Sequence, residues 1–245
     1  MKYPDRSRLF HTNSAARDAI ALTFDDGPCL TATPDILDLL QEQAVRATFF
    51  MIGERVRRHP DLARRVLHEG HQIANHSNRH VAFRSLVPSI CQREVENADR
   101  AFRSVIGVAP RFYRPPKGLI DRYVLRALSG AGYYVATWSR MPGDYFWWHT
   151  AAWIAKGLSH VRPGDIVVLH DGLGLHPEPD RRRTLSILRE FIRGMKEQGL
   201  RFDSVADLLG LPPYFSETAP GPDDASGARR AKTHGRVFRA GCFPW

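Results

Sequence analysis

Short apolar runs alternate along this chain with segments whose apolar residues recur every three to four positions. AIALTF at 19–24 precedes PDILDLLQEQA, ATFFMIG at 47–53 precedes DLARRVLHEG, and HQIAN at 71–75 precedes SICQREVENADRAFRSVIG. The alternation continues through RFYRPP, DRYVLRALSGAG, YYVATW, TAAWIAKGLSHV, DIVVLH, TLSILREFIRGMKEQG and LRFDSVADLL. Short apolar runs bounded by turn residues read as buried strands, whereas the longer periodic segments place their apolar residues on one helix face. At least six strand-then-helix units result, and such repetition builds a parallel sheet joined by crossover helices. The expected fold class is therefore α/β: a parallel sheet closed, or nearly closed, into a (β/α) barrel of seven or eight strands.

The pattern stops near the end. After LGLPPYF, the stretch SETAPGPDDASGARRAKTHGR has no apolar periodicity. The expected division is an N-terminal extension over 1–17, one domain over 18–212 and a disordered tail over 213–245. No internal repeat is present. A chain of 245 residues with 43% hydrophobic and 25% charged content can bury one large core, which argues against a disordered or fibrous protein.

Charge and cysteine change this picture little. The formal net charge is +9, but arginines such as Arg55, Arg57, Arg58, Arg64 and Arg65 read as a solvated helix face, and no recognition motif for nucleic acid accompanies them. No stretch approaches the roughly 18 to 20 apolar residues of a membrane span. The opening MKYPDRSRLFHTNS lacks a signal-peptide core, so the sequence as written reads as cytoplasmic, or as extracellular or periplasmic if its N-terminus was trimmed. Cys29, Cys91 and Cys242 are odd in number and form no CxxC motif, which excludes a disulfide scaffold.

In a (β/α) barrel the chemistry gathers at the C-terminal ends of the strands. After AIALTF come Asp25 and Asp26, after HQIAN come His76 and His80, after RFY comes Arg114, after YYVAT comes Trp138, and after DIVVL comes His170. Two adjacent carboxylates leaving a buried strand are costly unless a cation relieves them. His76 and His80 stand at i and i+4, the spacing at which one helical turn brings two imidazoles to a shared ion. With one carboxylate they make a His, His, Asp set that leaves coordination positions open, as catalytic sites do. Nitrogen and oxygen ligands without thiolate suit zinc, with cobalt or nickel as alternatives. Four of the five tryptophans fall between Trp138 and Trp153, with Tyr145 and Phe146 beside them, a loop whose exposed rings suit stacking on sugars. Arg181, Arg182 and Arg183 read as a solvated helix start.

TFDDGP at 23–28, NHSNRH at 75–80, RPPKG at 114–118, the Trp138 segment and VVLHDG at 167–172 occur in an order and spacing similar to one family. The chain resembles the NodB-like polysaccharide deacetylases, carbohydrate esterase family four, over roughly 18–210. The resemblance implies a distorted (β/α) barrel of NodB-homology type and metal-dependent removal of acetyl groups from an acetylated glycan or oligosaccharide. It makes Asp25 the general base, with Asp26, His76 and His80 as metal ligands. Arg114 then pairs with the base and His170 is the general acid. It gives the backbone of Lys117 an oxyanion role, at a position where the family usually has Tyr. Trp138 and Val168 become the acetyl pocket, and Asp144 tunes the catalytic histidine. The reaction implied is hydrolysis of a non-peptide carbon–nitrogen bond in chitooligosaccharide or peptidoglycan-type glycans. The alternatives are an acetyl-xylan esterase or non-sugar amide hydrolase with the same site, and a catalytically silent glycan-binding domain.

Overall fold

The computed structural model describes residues 8–82, 88–119, 122–146, 148–177 and 179–216. Its strands are β1 (Leu9–Phe10), β2 (Ala19–Asp25), β3 (Thr48–Met51), β4 (Gln72–Asn75), β5 (Phe112–Tyr113), β6 (Tyr134–Ala136), β7 (Ile166–His170) and β8 (Arg201–Asp203). Its helices are α1 (Thr33–Glu42), α2 (Gly53–Arg58), α3 (Pro60–His68), α4 (Pro88–Ile106), α5 (Arg122–Gly130), α6 (Ala151–Leu158), α7 (Arg182–Glu197) and α8 (Val205–Leu209). The strands pair in the order β1-β6-β5-β4-β3-β2-β7, with β8 also on β2, and every ladder is parallel.

This is the expected curled α/β sheet, and alternation along β2 explains its two faces. Ile20, Leu22 and Phe24 point outward into a large core shared with Ile36 and Leu37 of α1 and Leu188 and Ile192 of α7. Ala19 and Ala21 point inward, where Phe50, Ala74, Phe112 and Ala136 make a second core. The small inner alanines leave the barrel axis narrow but not filled, and large side chains from other strands enter that space. Each fully buried leucine or phenylalanine of the outer core contributes roughly 1.5–3 kcal/mol.

The barrel closes at a seam. Beyond β6 the chain reaches β7, where Ser139 N–H donates to Ile166 O at 3.0 Å and Val168 N–H to Arg140 O at 2.9 Å. Asp165 clasps the seam from below, accepting from Ser139 Oγ at 2.7 Å and from Arg140 Nε at 2.8 Å.

Ordered packing reaches beyond both expected domain boundaries. Leu9 and Phe10 pair with Val135 and Ala136. At the other end Ile73 N–H donates to the Tyr214 hydroxyl at 3.2 Å, and the Phe215 ring meets Tyr133 edge-on at 5.2 Å. The rest of the expected tail, 217–245, lies outside the described residues. No helix among the described residues is long and apolar enough to cross a membrane.

Candidate active site

Register fixes which side chains share the mouth of the barrel. Asp25 at the end of β2 pairs laterally with Phe50 and with His170 at the end of β7, so a carboxylate and an imidazole stand side by side on one rim. A cavity of about 440 Å³ opens there, lined by Asp25, Asp26, His76, His80, Lys117, Trp138 and His170. Met141, Tyr145, Leu173 and Gly174 complete its wall.

Asp26, His76 and His80 converge on one point, with one ligand atom of each within 4.8 Å of the others. His76 Nδ1 lies 2.8 Å from the Arg114 carbonyl, which can only accept, so that nitrogen carries the proton. In the neutral ring this leaves the Nε2 lone pair facing Asp26 Oδ1 at 3.3 Å, and His80 Nε2 faces the same oxygen at 3.1 Å. Asp26 Oδ2 accepts from Gly174 N–H at 2.8 Å, whereas buried Oδ1 accepts no hydrogen bond. Electron pairs gathered so closely around a buried oxygen call for a positive charge. The titration pattern states the same demand. Burial works against protonating His76, but Asp25 and Asp26 outweigh it and raise its pKa, while burial and the neighbouring His76 hold His80 down to about 4. Asp26 is held far below the carboxylate range, burial being overcome by His76, His80 and His170. The donor set thus fits a divalent cation of the zinc type.

The two histidines do not come together by a helical turn, as their spacing predicts. Residues 76–80 form an irregular bend in which Ser77 (φ 71°) and His80 (φ 59°) take the left-handed conformation. Asp26 (φ 77°) and Lys117 (φ 61°) do the same. Such residues cluster where surrounding structure over-determines the backbone, commonly at functional sites.

Asp25 is held differently. Arg114, fully buried, donates Nη1–H to Asp25 Oδ1 at 2.6 Å and to Thr23 Oγ1 at 2.8 Å. Its Nε reaches Ala136 O at 3.0 Å, its Nη2 reaches Thr137 O at 2.9 Å, and its plane lies over Phe50 at 3.8 Å. The guanidinium therefore cannot swing away, and it holds Asp25 Oδ1 in place while Oδ2 is left toward His76 at 3.9 Å.

Across the cavity Asp144 is buried and accepts from both His170 Nδ1–H and His170 N–H at 2.8 Å, and from Thr184 Oγ1 at 2.9 Å. Burial alone would depress the His170 pKa, but the Asp144 charge and hydrogen bond push it up to about 9. The structure thus sets the Asp144 carboxylate directly on the His170 imidazole. It also shows Tyr145 packed on the His170 ring at 5.0 Å.

Lys117 sits in a short 3-10 turn, Pro116–Gly118, with its side chain exposed at the rim. A side chain at Gly118 would lie 2.5 Å from the Trp138 ring, so the glycine lets the indole approach this turn closely. Val168 is fully buried on β7, in register with Thr23 and two residues below His170, and does not line the cavity. The aromatic loop is a ladder: Tyr145 on Phe146 at 4.0 Å, Phe146 on Trp148 at 4.7 Å, and His149 on Trp153 at 5.0 Å. Its outer members Trp148 and Trp153 are more than half exposed at 57% and 59%, and Trp147 lies outside the described residues.

Three functional neighbours escaped the sequence reading. Arg181 is not solvated: it is 5% exposed, beside Asp144, while Arg182 and Arg183 are exposed as expected. Arg55 is likewise buried and binds the Gly174 carbonyl at 2.8 Å. Asp171 is fully buried under the first motif, accepting from Thr33 Oγ1 at 2.6 Å, and any side chain at Gly27 would collide with it. The charge runs ERVRR and RRR carry no signal of which member turns inward.

The mouth of this (β/α) barrel thus gathers an Asp, His, His set that could hold a metal ion, an Asp–Arg pair and a His–Asp pair around one cavity, an arrangement of the kind enzymes use. Residues 12–136 match the family described as Polysaccharide deacetylase, and the chain belongs to that family. It is 37% identical to a peptidoglycan-N-acetylglucosamine deacetylase of Bacillus cereus, over 78% of this chain and 87% of that protein. It is 36% identical to a chitooligosaccharide deacetylase of Bradyrhizobium, over 78% and 90% of the respective lengths. A solved peptidoglycan N-acetylglucosamine deacetylase, in complex with a substituted benzamide, superposes with a TM-score of 0.76 at 26% identity, covering 84% of this chain and 94% of that one. The chain is accordingly an enzyme of the polysaccharide deacetylase family, and the relatives named are deacetylases of N-acetylated sugars.

Proposed function

We propose that this enzyme hydrolyses the acetamide of N-acetylglucosamine units in an oligo- or polysaccharide, using a divalent cation, zinc first. The observation that carries the reading is the buried, unpartnered Asp26 Oδ1 faced by two imidazole nitrogens, with Asp25 and His170 on the same cavity. A cation held by Asp26, His76 and His80 would supply Lewis-acid polarisation of the acetyl carbonyl and a lowered pKa for water. Asp25, held in place by Arg114, takes the proton of the attacking water. The Lys117 amide contributes a hydrogen bond to the developing oxyanion, a role that a backbone donor keeps whatever the side chain. His170, kept protonated by Asp144, gives its proton to the departing nitrogen, releasing acetate and a free amino sugar. Trp138 walls the cavity beside the acetyl group.

The test is acetate release from chitooligosaccharides by zinc-loaded protein, chelator-treated protein and chelated protein with zinc restored. Release that is lost on chelation and regained with zinc is the expected result. No release from protein shown to hold its ion would sink this substrate assignment and direct the assay to peptidoglycan, acetyl xylan and non-sugar amides.

A further inference from the structure

His76 and Asp26 each have an anchor of their own, through the Arg114 carbonyl and the Gly174 amide. His80 does not: among the described residues no hydrogen bond holds its ring, and its side chain is the most exposed of the three at 18%. Its position is set by the backbone of the bend that carries it, which includes two left-handed residues bearing side chains, Ser77 and His80 itself. Such a bend needs outside support.

Two helices supply it from opposite sides. The first amides of α2 serve the carbonyls of the bend, Gly53 N–H to Ser77 O and Glu54 N–H to Asn78 O, both at 3.0 Å. Of the donors of the bend, Ser77 N–H turns back to Asn75 Oδ1 at 2.8 Å, and three others reach α4. There Glu94 Oε2 accepts from Ser77 Oγ at 3.0 Å and from Arg79 N–H at 2.8 Å, and Oε1 accepts from Arg79 Nε at 2.8 Å. Glu94 is 1% exposed, and a carboxylate so buried is tolerable only with donors in place. All of the donors shown come from the residues between the two histidines. Glu94 neither lines the cavity nor belongs to the cation set.

We infer that Glu94 is a positioning residue for the cation site, a latch on α4 that holds the 76–80 bend in the shape that turns His80 Nε2 toward Asp26 and His76. The inference rests on the reading of Asp26, His76 and His80 as ligands. Outer partners of metal ligands typically set affinity by about 10- to 100-fold. Glu94 acts one step further out, through the backbone instead of the ring.

The experiment is zinc affinity of the full chain by competition with a chromogenic chelator, alongside the melting curve of the chelated protein. Glu94→Ala is expected to bind zinc about 10- to 100-fold more weakly, with turnover recovering as zinc is raised and KM little changed. Glu94→Gln keeps one accepting oxygen but turns an amide donor against the other partner, and so falls between. Ser77→Ala removes one hydrogen bond without stranding a charge and gives the smallest loss, which keeps the test available if Glu94→Ala does not fold. Folded Glu94→Ala, or folded Glu94→Gln and Ser77→Ala together, with wild-type affinity would overturn the latch. A wild-type chain that takes up no zinc, cobalt or nickel overturns the cation reading itself, an outcome distinct from failure of Glu94 alone.

Discussion

Asp25 and Asp26 are neighbours in sequence with opposite surroundings: a guanidinium holds the first at 2.6 Å, and two imidazole nitrogens face the second. Their replacements should therefore separate. Asp25→Asn is expected to cost about 10²- to 10⁴-fold in kcat while zinc uptake, measured by chelator competition, stays near wild type. Loss of zinc together with turnover would remove Asp25 from the role of base. His170 must carry a proton to donate it, so activity falls as pH rises through its pKa, which Asp144 pushes up to about 9. A bound cation, of like charge, draws that value down. Asp144→Asn withdraws the carboxylate that favours the charged ring, and the alkaline limb of kcat/KM should move down toward the ordinary histidine value of about 6.5. A limb that does not move on substitution would show that another group governs it. These residues were legible because their order along the chain matches strand ends. Arg181 and Glu94 were not, since a charged residue in a helix looks the same in sequence whether it meets water or a buried partner.

At the scale of elements, α2 and α4 approach closely where the 76–80 bend passes between them. A side chain at Gly53 would stand 2.8 Å from the Ala98 Cα and 2.9 Å from Asn78 Oδ1. Gly53→Ala must push backbone apart, and should lower stability by about 1–3 kcal/mol by thermal melt and weaken zinc binding with it. Unchanged melting would mean that the two helices yield more easily than their contact implies. Helix α7 was readable from sequence because its buried Ile187, Leu188, Phe191, Ile192 and Met195 keep helical spacing. Helix α2 was not, since GERVRR offers Val56 as its single large apolar residue. The 76–80 bend misled for a physical reason: i and i+4 side chains meet on a helical turn, and equally across a tight bend with left-handed residues.

At the scale of the whole molecule, the first and last of the described residues pack into the fold. Phe215 N–H donates to Ala109 O at 3.0 Å, Arg111 N–H to Pro213 O at 2.9 Å, and Arg111 lies over the Phe215 ring at 5.6 Å. A chain stopped at 212 should therefore melt several degrees below one stopped at 216, with ΔΔG of about 2–4 kcal/mol for the loss of two large packed rings. Equal melting curves would assign these contacts no net worth. The alternating pattern that ends with LRFDSVADLL could not announce this, because Tyr214 joins the sheet only by an isolated bridge to Pro110 and not as a periodic element. The seam has a wider meaning. Thr137, which receives Arg114, Trp138, which walls the cavity, and Ser139 and Arg140, which fasten the barrel to β7, are four consecutive residues. A ligand pressing on Trp138 would lean on the stretch that fastens the tube, so its binding and the closure of the barrel would favour one another.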